Sequence, residues 1–166
     1  MAHPFPSIQD ELQQRRPFRS KREELFIALL RSAAVVRRPV SKVVEEHHLS
    51  LAQYNVLRIL RGAGADGLPT LSIRERMIEE AAGITRLIDK LEAAGFVSRD
   101  RRNATDRRQV VCRITTEGMS LLASLDSVVA SATHDVLALL DDERIVALLA
   151  LLDEVRAGAH LNSSAH

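Results

Sequence analysis

Residues 99–109 read Arg-Asp-Arg-Arg-Asn-Ala-Thr-Asp-Arg-Arg-Gln, five arginines within ten positions around Asn103-Ala104-Thr105. A guanidinium stays charged at any physiological pH and presents its donors in a planar fork that suits phosphate oxygens and guanine edges. Such a run fits three settings: a disordered basic tail, a solvated helix face, or the tip of an element that touches a polyanion. Its flanks separate them. The rest of the chain offers little competing chemistry. No nucleophile–base pair or metal cluster stands out, and Gly62-Ala63-Gly64-Ala65-Asp66-Gly67 lacks the strand and the Lys-Ser/Thr that a phosphate loop requires. His47 and His48 are adjacent on a helix, so they point about 100° apart, and they read as solvated helix-end residues rather than ligands. Cys112, the only cysteine, excludes an internal disulfide and reads as a packed thiol rather than a redox sensor. No catalytic residue, metal or cofactor is expected.

The element before the cluster is the informative one. In residues 79–96 (EEAAGITRLIDKLEAAGF), Ile84, Leu87, Ile88 and Leu91 follow the i, i+3, i+4, i+7 spacing of a buried helix stripe, and Gly95-Phe96 reads as a left-handed C-cap. The spacing predicts a helix over 81–94 whose opposite face holds Ala82, Arg86 and Asp89, flanked by Thr85 and Lys90. Upstream, Ser72-Ile73-Arg74-Glu75 has the pattern of a capping box opening a short helix that Met77 and Ile78 close. Two short helices with a tight turn, the second presenting a narrow, partly basic face, make a helix-turn-helix. Downstream, Phe96–Arg99 and the β-branched stretch Gln109–Thr115 bracket the arginines as two strands, with Asn103–Asp106 as the turn. The arginine run therefore rides a β-hairpin after a helix-turn-helix, and its tip is aimed at DNA. Arg74, Arg99, Arg101 and Arg102 read as phosphate contacts.

Other elements must carry this unit. Residues 1–22, with Pro4, Pro6 and Pro17, read as a loose arm. Residues 23–48 form a long helix with a kink at Pro39, and Ser50-Leu51-Ala52-Gln53 caps a second helix that ends near Gly62. Residues 62–69 form a turn-rich connection. From Thr115 a long helix repeats Leu122, Leu125, Val129, Ala132, Val136 and Leu139 at heptad spacing. Asp141-Asp142-Glu143 then opens a final helix with Ile145, Leu148, Leu152 and Val155, widened by Leu149 and Leu151. So much apolar surface on one helical hairpin calls for the 23–48 helix and a second copy of the chain to cover it. Tyr54 has two readings, a core position and, less favoured, the lining of a ligand crevice between the first, second and fifth helices.

Composition agrees with a mainly α chain: 166 residues, 46% hydrophobic and only 3% aromatic. Net charge is +1 but polarised. Residues 116–166 hold eight acids against Arg144 and Arg156, leaving −6 there and +7 on residues 1–115. No apolar run approaches the roughly 18 residues of a membrane span, and no signal-peptide pattern opens the sequence, so a cytoplasmic location is expected.

The order of these features, above all Thr85–Val97 (TRLIDKLEAAGFV) and Asp106–Gly118 (DRRQVVCRITTEG), resembles the MarR family of winged-helix regulators over roughly residues 23–157. The resemblance implies a homodimer that binds pseudo-palindromic double-stranded operators and a small phenolic or anionic effector that weakens binding. It places Asp106 and Arg108 on the family's Asp-x-Arg wing motif, where the aspartate braces an arginine that enters the minor groove. Ala82, Thr85 and Arg86 fall on major-groove positions. Glu79 and Glu80 depart from the Ser, Thr or basic residues common there, and no cysteine lies near the N-terminus.

The expected fold is thus mainly α with a small β-hairpin: a flexible arm (1–22), a dimerisation helix (23–48), a winged helix-turn-helix (49–115), C-terminal dimerisation helices (116–158) and a tail (159–166). The expected DNA-binding set is Arg74, Ala82, Thr85, Arg86, Lys90, Arg101, Arg107 and Arg108, with Asp106 as brace and Tyr54 as the ligand candidate. The expected function is a non-enzymatic, sequence-specific DNA-binding regulator that represses; the alternative is a winged helix that binds protein.

Overall fold

The computed structural model describes residues 4–79, 83–100 and 110–163. Seven helices occur among them: α1 (Ile8–Glu11), α2 (Lys21–Glu45), α3 (Leu51–Ala63), α4 (Thr70–Glu75), α5 (Ile84–Ala93), α6 (Thr116–Leu137) and α7 (Asp142–Ser163). Three short strands, β1 (Leu68–Pro69), β2 (Val97–Asp100) and β3 (Val111–Ile114), form an antiparallel sheet in the order β1-β3-β2.

Side-chain caps set most helix starts. Ser20 accepts from the Glu23 amide to open α2, and Ser50 with Gln53 closes the expected capping box on α3. Ser7 and Asp10 make a similar box on α1, so the N-terminal arm carries one helical turn, tied to α2 by Arg31 and Glu11 at 2.7 Å. Helix α2 continues through Pro39. It ends in a Schellman turn: the Leu49 amide donates to Val44 and that of His48 to Glu45, with His48 at φ 59°. That turn folds Leu49, 3% exposed, back onto the core. Gly95 and Phe96 close α5 the same way, as the spacing predicts, with φ 78° at Gly95 and the Phe96 amide donating to Leu91.

Two local expectations are corrected. Ser72 caps nothing: α4 begins two residues earlier, after Pro69, whose extended backbone leads straight from β1 into the helix. A hairpin of two strands is also too few. Leu68 and Pro69, inside the turn-rich 62–69 stretch, pair with Cys112 and Val111 and make β1 the third strand. Pro69 is tolerated because β1 is an edge.

One core joins these pieces. Leu57 and Leu60 of α3, Ile73 of α4, Ile88 and Leu91 of α5, Cys112 of β3, and Leu122 and Leu125 of α6 are all fully buried. Each fully buried aliphatic side chain contributes about 1.5–3 kcal/mol of transfer free energy, so this cluster sets how the helix-turn-helix sits on α6. Thr115 locks the joint: its hydroxyl donates to the Gly95 carbonyl (2.7 Å) and accepts from the Gly118 amide (3.1 Å). Above it, α6 packs along α2, the most extensive helix pairing among the described residues. The predicted seam follows that contact through Leu122, Leu125, Val129, Ala132 and Val136, whereas Leu139 is 71% exposed. Helix α7 touches the other elements only marginally, and Val146, Leu148, Leu149, Leu151 and Val155 are exposed.

Candidate nucleic-acid interface

Helices α3, α4 and α5 with the sheet build the unit that the sequence reads as a helix-turn-helix and its wing. The turn between α4 and α5 is anchored by Asn55 of α3. This residue is 9% exposed, the one buried polar side chain among the described residues, and its Oδ1 accepts from the Ile78 amide at 3.0 Å. A buried amide side chain is costly unless bonded, so the turn and Asn55 hold each other in place. Nothing in the helical pattern of α3 separates Asn55 from its neighbours. Only a polar residue on an otherwise buried face signals it.

Helix α5 starts at Ile84, not at 81. Gly83 sits at φ 97°, a left-handed conformation that a continuing α-helix excludes, and its carbonyl accepts from the Arg86 amide at 2.9 Å. Ile84, Ile88 and Leu91 face inward as spaced, while Thr85, Arg86, Asp89 and Lys90 are exposed. Arg86 and Lys90 have no ion-pair partner among the described residues, and both side chains are exposed. Arg74 is exposed on α4. Ala82, Arg101, Asp106, Arg107 and Arg108 lie outside the described residues.

Arg99 is placed differently from the phosphate contact that the sequence suggests. It shares a strand face with buried Val97, and its side chain is only 14% exposed. Nη2 meets Asp89 Oδ1 at 2.6 Å and donates to the Thr85 carbonyl at 3.3 Å, while Nη1 lies 3.2 Å from Glu92 Oε2. Burial opposes its charge, but the Asp89 hydrogen bond and the charges of Glu92 and Asp89 prevail and raise its pKa above the ordinary value. The strand alternation carried the signal: position 99 has the parity of Val97 and therefore points in. Arg113 is also structural. It donates to the Ala65 carbonyl (3.0 Å) and reaches Asp100 (3.4 Å), tying β3 to β2 and to the 3-10 turn Gly64–Asp66.

The β2–β3 ladder runs from Val97↔Ile114 to Asp100↔Val111, so residues 101–110, with four arginines, connect the two strands beyond the last pair. Cys112, fully buried in the middle of the sheet, has its thiol pKa pushed up by burial, and Thr70 Oγ1 lies 3.8 Å from its sulfur. That is the environment of a packing residue.

The junction between this unit and the long helices has its own ion pair. Arg61 of α3 grips Asp126 of α6 with two bonds, 2.8 and 3.0 Å. Tyr54 lies beside it with the Arg58 guanidinium 5.9 Å from the ring centroid. Tyr54 is 4% exposed and packs in the core. The cleft that does open at the long helices, about 430 Å³, is lined by Pro39, Lys42, Val43 and Glu46 of α2 with Ala132, Asp135 and Val136 of α6, and Tyr54 is not part of it. His47 and His48 are exposed, and no group of three His, Cys, Asp or Glu gathers among the described residues.

Comparison with known proteins bears on the same region. Residues 38–125, just over half of the chain, match the family model described as transcriptional regulator SarA/Rot. The HTH-type transcriptional regulator MhqR of Bacillus subtilis (strain 168) is 27% identical over 82% of this chain and 92% of its own length. The MarR transcription factor of Planctomyces limnophilus is 32% identical, with a TM-score of 0.63 over 82% of this chain and 98% of that one. BpsR of Bordetella bronchiseptica, whose DNA binding is regulated by 6-hydroxynicotinic acid, shares the fold at 21% identity, with a TM-score of 0.71 over 81% of this chain and 99% of that one. Family model, relatives and the helix-turn-helix with its strand ladder agree, and the chain belongs to the MarR family of winged-helix, DNA-binding transcriptional regulators.

Proposed function

We propose that the protein is a homodimeric repressor that reads a pseudo-palindromic operator in the cytoplasm and releases it when a small phenolic or anionic molecule binds. In this reading α5 of each protomer enters a major groove with Thr85, Arg86 and Lys90 facing the bases, and Ala82, just before the helix, joins them. Arg74 and Arg101 hold phosphates, Arg107 adds a further cation to the wing, and Arg108, braced by Asp106, reaches the adjacent minor groove. The two half-sites lie about 10 bp apart. A single observation carries the proposal: the outward face of α5 holds two cations with no ion-pair partner among the described residues, directly beside a strand ladder whose connecting segment is arginine-rich.

Dimerisation follows from the uncovered surface. Leu25, Phe26 and Leu30 of α2 and Val146, Leu148, Leu149, Leu151 and Val155 of α7 are exposed, with no cover among the described residues. Two copies that share these helices bury them and fix the distance between their α5 helices. A molecule seated in the α2–α6 cleft weakens DNA binding if it favours a different distance, and Val43, Ala132 and Val136 offer an aromatic ring an apolar wall, with Lys42 the one cation among the described lining residues, beside Glu46 and Asp135. Regulation of BpsR by 6-hydroxynicotinic acid supports that ligand class.

The test is fluorescence anisotropy of a labelled duplex from the region upstream of the protein's own reading frame, against a scrambled duplex, across a salt titration. Preferential binding with log Kd rising linearly in log salt is expected. Absence of binding to both duplexes even in dilute buffer rejects the proposal and leaves the protein-binding winged helix in its place. Sedimentation at the same concentration reports the dimer.

A further inference from the structure

Arg99 stands at the root of the wing and is not available to DNA, yet it holds three acceptors on α5. We infer that Arg99 is a positioning residue for DNA recognition, acting through Asp89, Glu92 and the Thr85 carbonyl and making no contact with DNA; this rests on the reading of α5 as the recognition helix. The geometry has two consequences. Asp89 and Glu92 lie one turn apart on α5, and both carboxylates are half-exposed, at 52% and 41%. Left alone, they set two negative charges on or beside the face offered to a polyanion, and like charges at that range oppose binding. Arg99 neutralises them from the protein side with bonds at 2.6 and 3.2 Å.

The second consequence is mechanical. Arg99 belongs to β2, paired opposite Cys112 of β3, so a guanidinium bonded to three points on α5 couples the recognition helix to the ladder from which the wing extends. The helix enters a major groove and the wing an adjacent minor groove, so their relative placement must be held to within a fraction of an ångström for both to engage at once. A planar fork spans several acceptors in fixed directions; an ammonium does not.

That difference supplies the test. Arg99→Gln, Arg99→Lys, Asp89→Asn and the Arg99→Gln/Asp89→Asn double variant are titrated by anisotropy against a duplex that the wild-type protein has enriched from a random-sequence pool, over a range of salt. Thermal melts establish that each is folded at the assay temperature. Arg99→Gln is expected to weaken binding about tenfold, as the loss of a charge-assisted anchor implies, with an unchanged slope of log Kd against log salt. Arg99→Lys is expected to fall close to Arg99→Gln, and removing Asp89 in the Arg99→Gln background to cost nothing further or to restore affinity. A phosphate contact behaves oppositely: the slope drops by about 0.9 in Arg99→Gln, lysine restores affinity, and the Asp89 change is additive. That pattern overturns the inference while leaving the proposed function standing. If Arg99→Gln fails to fold, Arg99→Lys decides, with weakened binding supporting the inference and wild-type affinity overturning it. A wild-type protein that enriches no duplex removes both readings together.

Discussion

At Gly118 α6 packs close against the Phe96 carbonyl and the Ile114 side chain, and replacing this glycine with alanine tests that packing. A Cβ at this position would overlap the Phe96 carbonyl oxygen and come within 2.8 Å of the Ile114 side chain. The Phe96 oxygen cannot swing aside, since it is backbone already accepting from the Thr115 amide at 3.1 Å. Normal contact is restored only if α6 withdraws by about 1 Å, which strains the Thr115 cap and the burial of Leu122. Alanine gains about 0.5–1 kcal/mol over glycine within a helix, whereas overpacking a well-filled site costs about 1–3 kcal/mol or more when the neighbour is fixed. The net is a loss of about 2 kcal/mol, or a melting temperature lower by about 4–8 °C for a chain of this length. Gly62 is the control: it lies in the last turn of α3, is exposed, and a Cβ there meets nothing within 4 Å. The same substitution at Gly62 is expected to raise stability by up to about 1 kcal/mol. Urea and thermal denaturation of the two variants measure both. Equal or greater stability of Gly118→Ala, with an unchanged denaturant slope, would refute the claim that this glycine is required by close approach.

Arg108→Ala is expected to lower operator affinity about tenfold or more with the melting temperature unchanged, as read by anisotropy and thermal denaturation; undiminished affinity removes the wing from recognition. The hydrogen bonds from Arg61 hold the Asp126 carboxyl below the ordinary carboxylate range. A depressed carboxyl contributes stability that is present above its unfolded pKa and lost as pH falls through its folded one. The stability advantage of wild type over Asp126→Asn should therefore be full at pH 7 and shrink to nothing in acid below about pH 4, whereas a gap independent of pH would deny the ion pair a role. Burial pushes the Cys112 thiol up, so native protein at pH 8 is expected to react with an aromatic disulfide reagent far more slowly than urea-unfolded protein. Rapid labelling of the native state would contradict that placement.

The sequence by itself determined the longer helices, the cap at Ser50, the turn at Gly95 and the order of the elements from α2 onward apart from β1. A 3.6-residue spacing of Ile84, Leu87, Ile88 and Leu91, a serine with Gln53 three positions on, and a glycine before Phe96 act over a single turn of chain, and their physics is complete within a few residues. Tertiary structure decided what depended on which segments meet. Leu68–Pro69 is a strand only because β3 runs beside it, so a turn-rich composition concealed it. Arg99 looked like its neighbours in a basic run until the sheet turned it toward Asp89 and Glu92. Arg61 found Asp126 across 65 positions. A charge's partner depends on where two elements cross, and that crossing is set by the burial of Leu57, Leu91 and Leu122 in one core rather than by any property of the arginine itself.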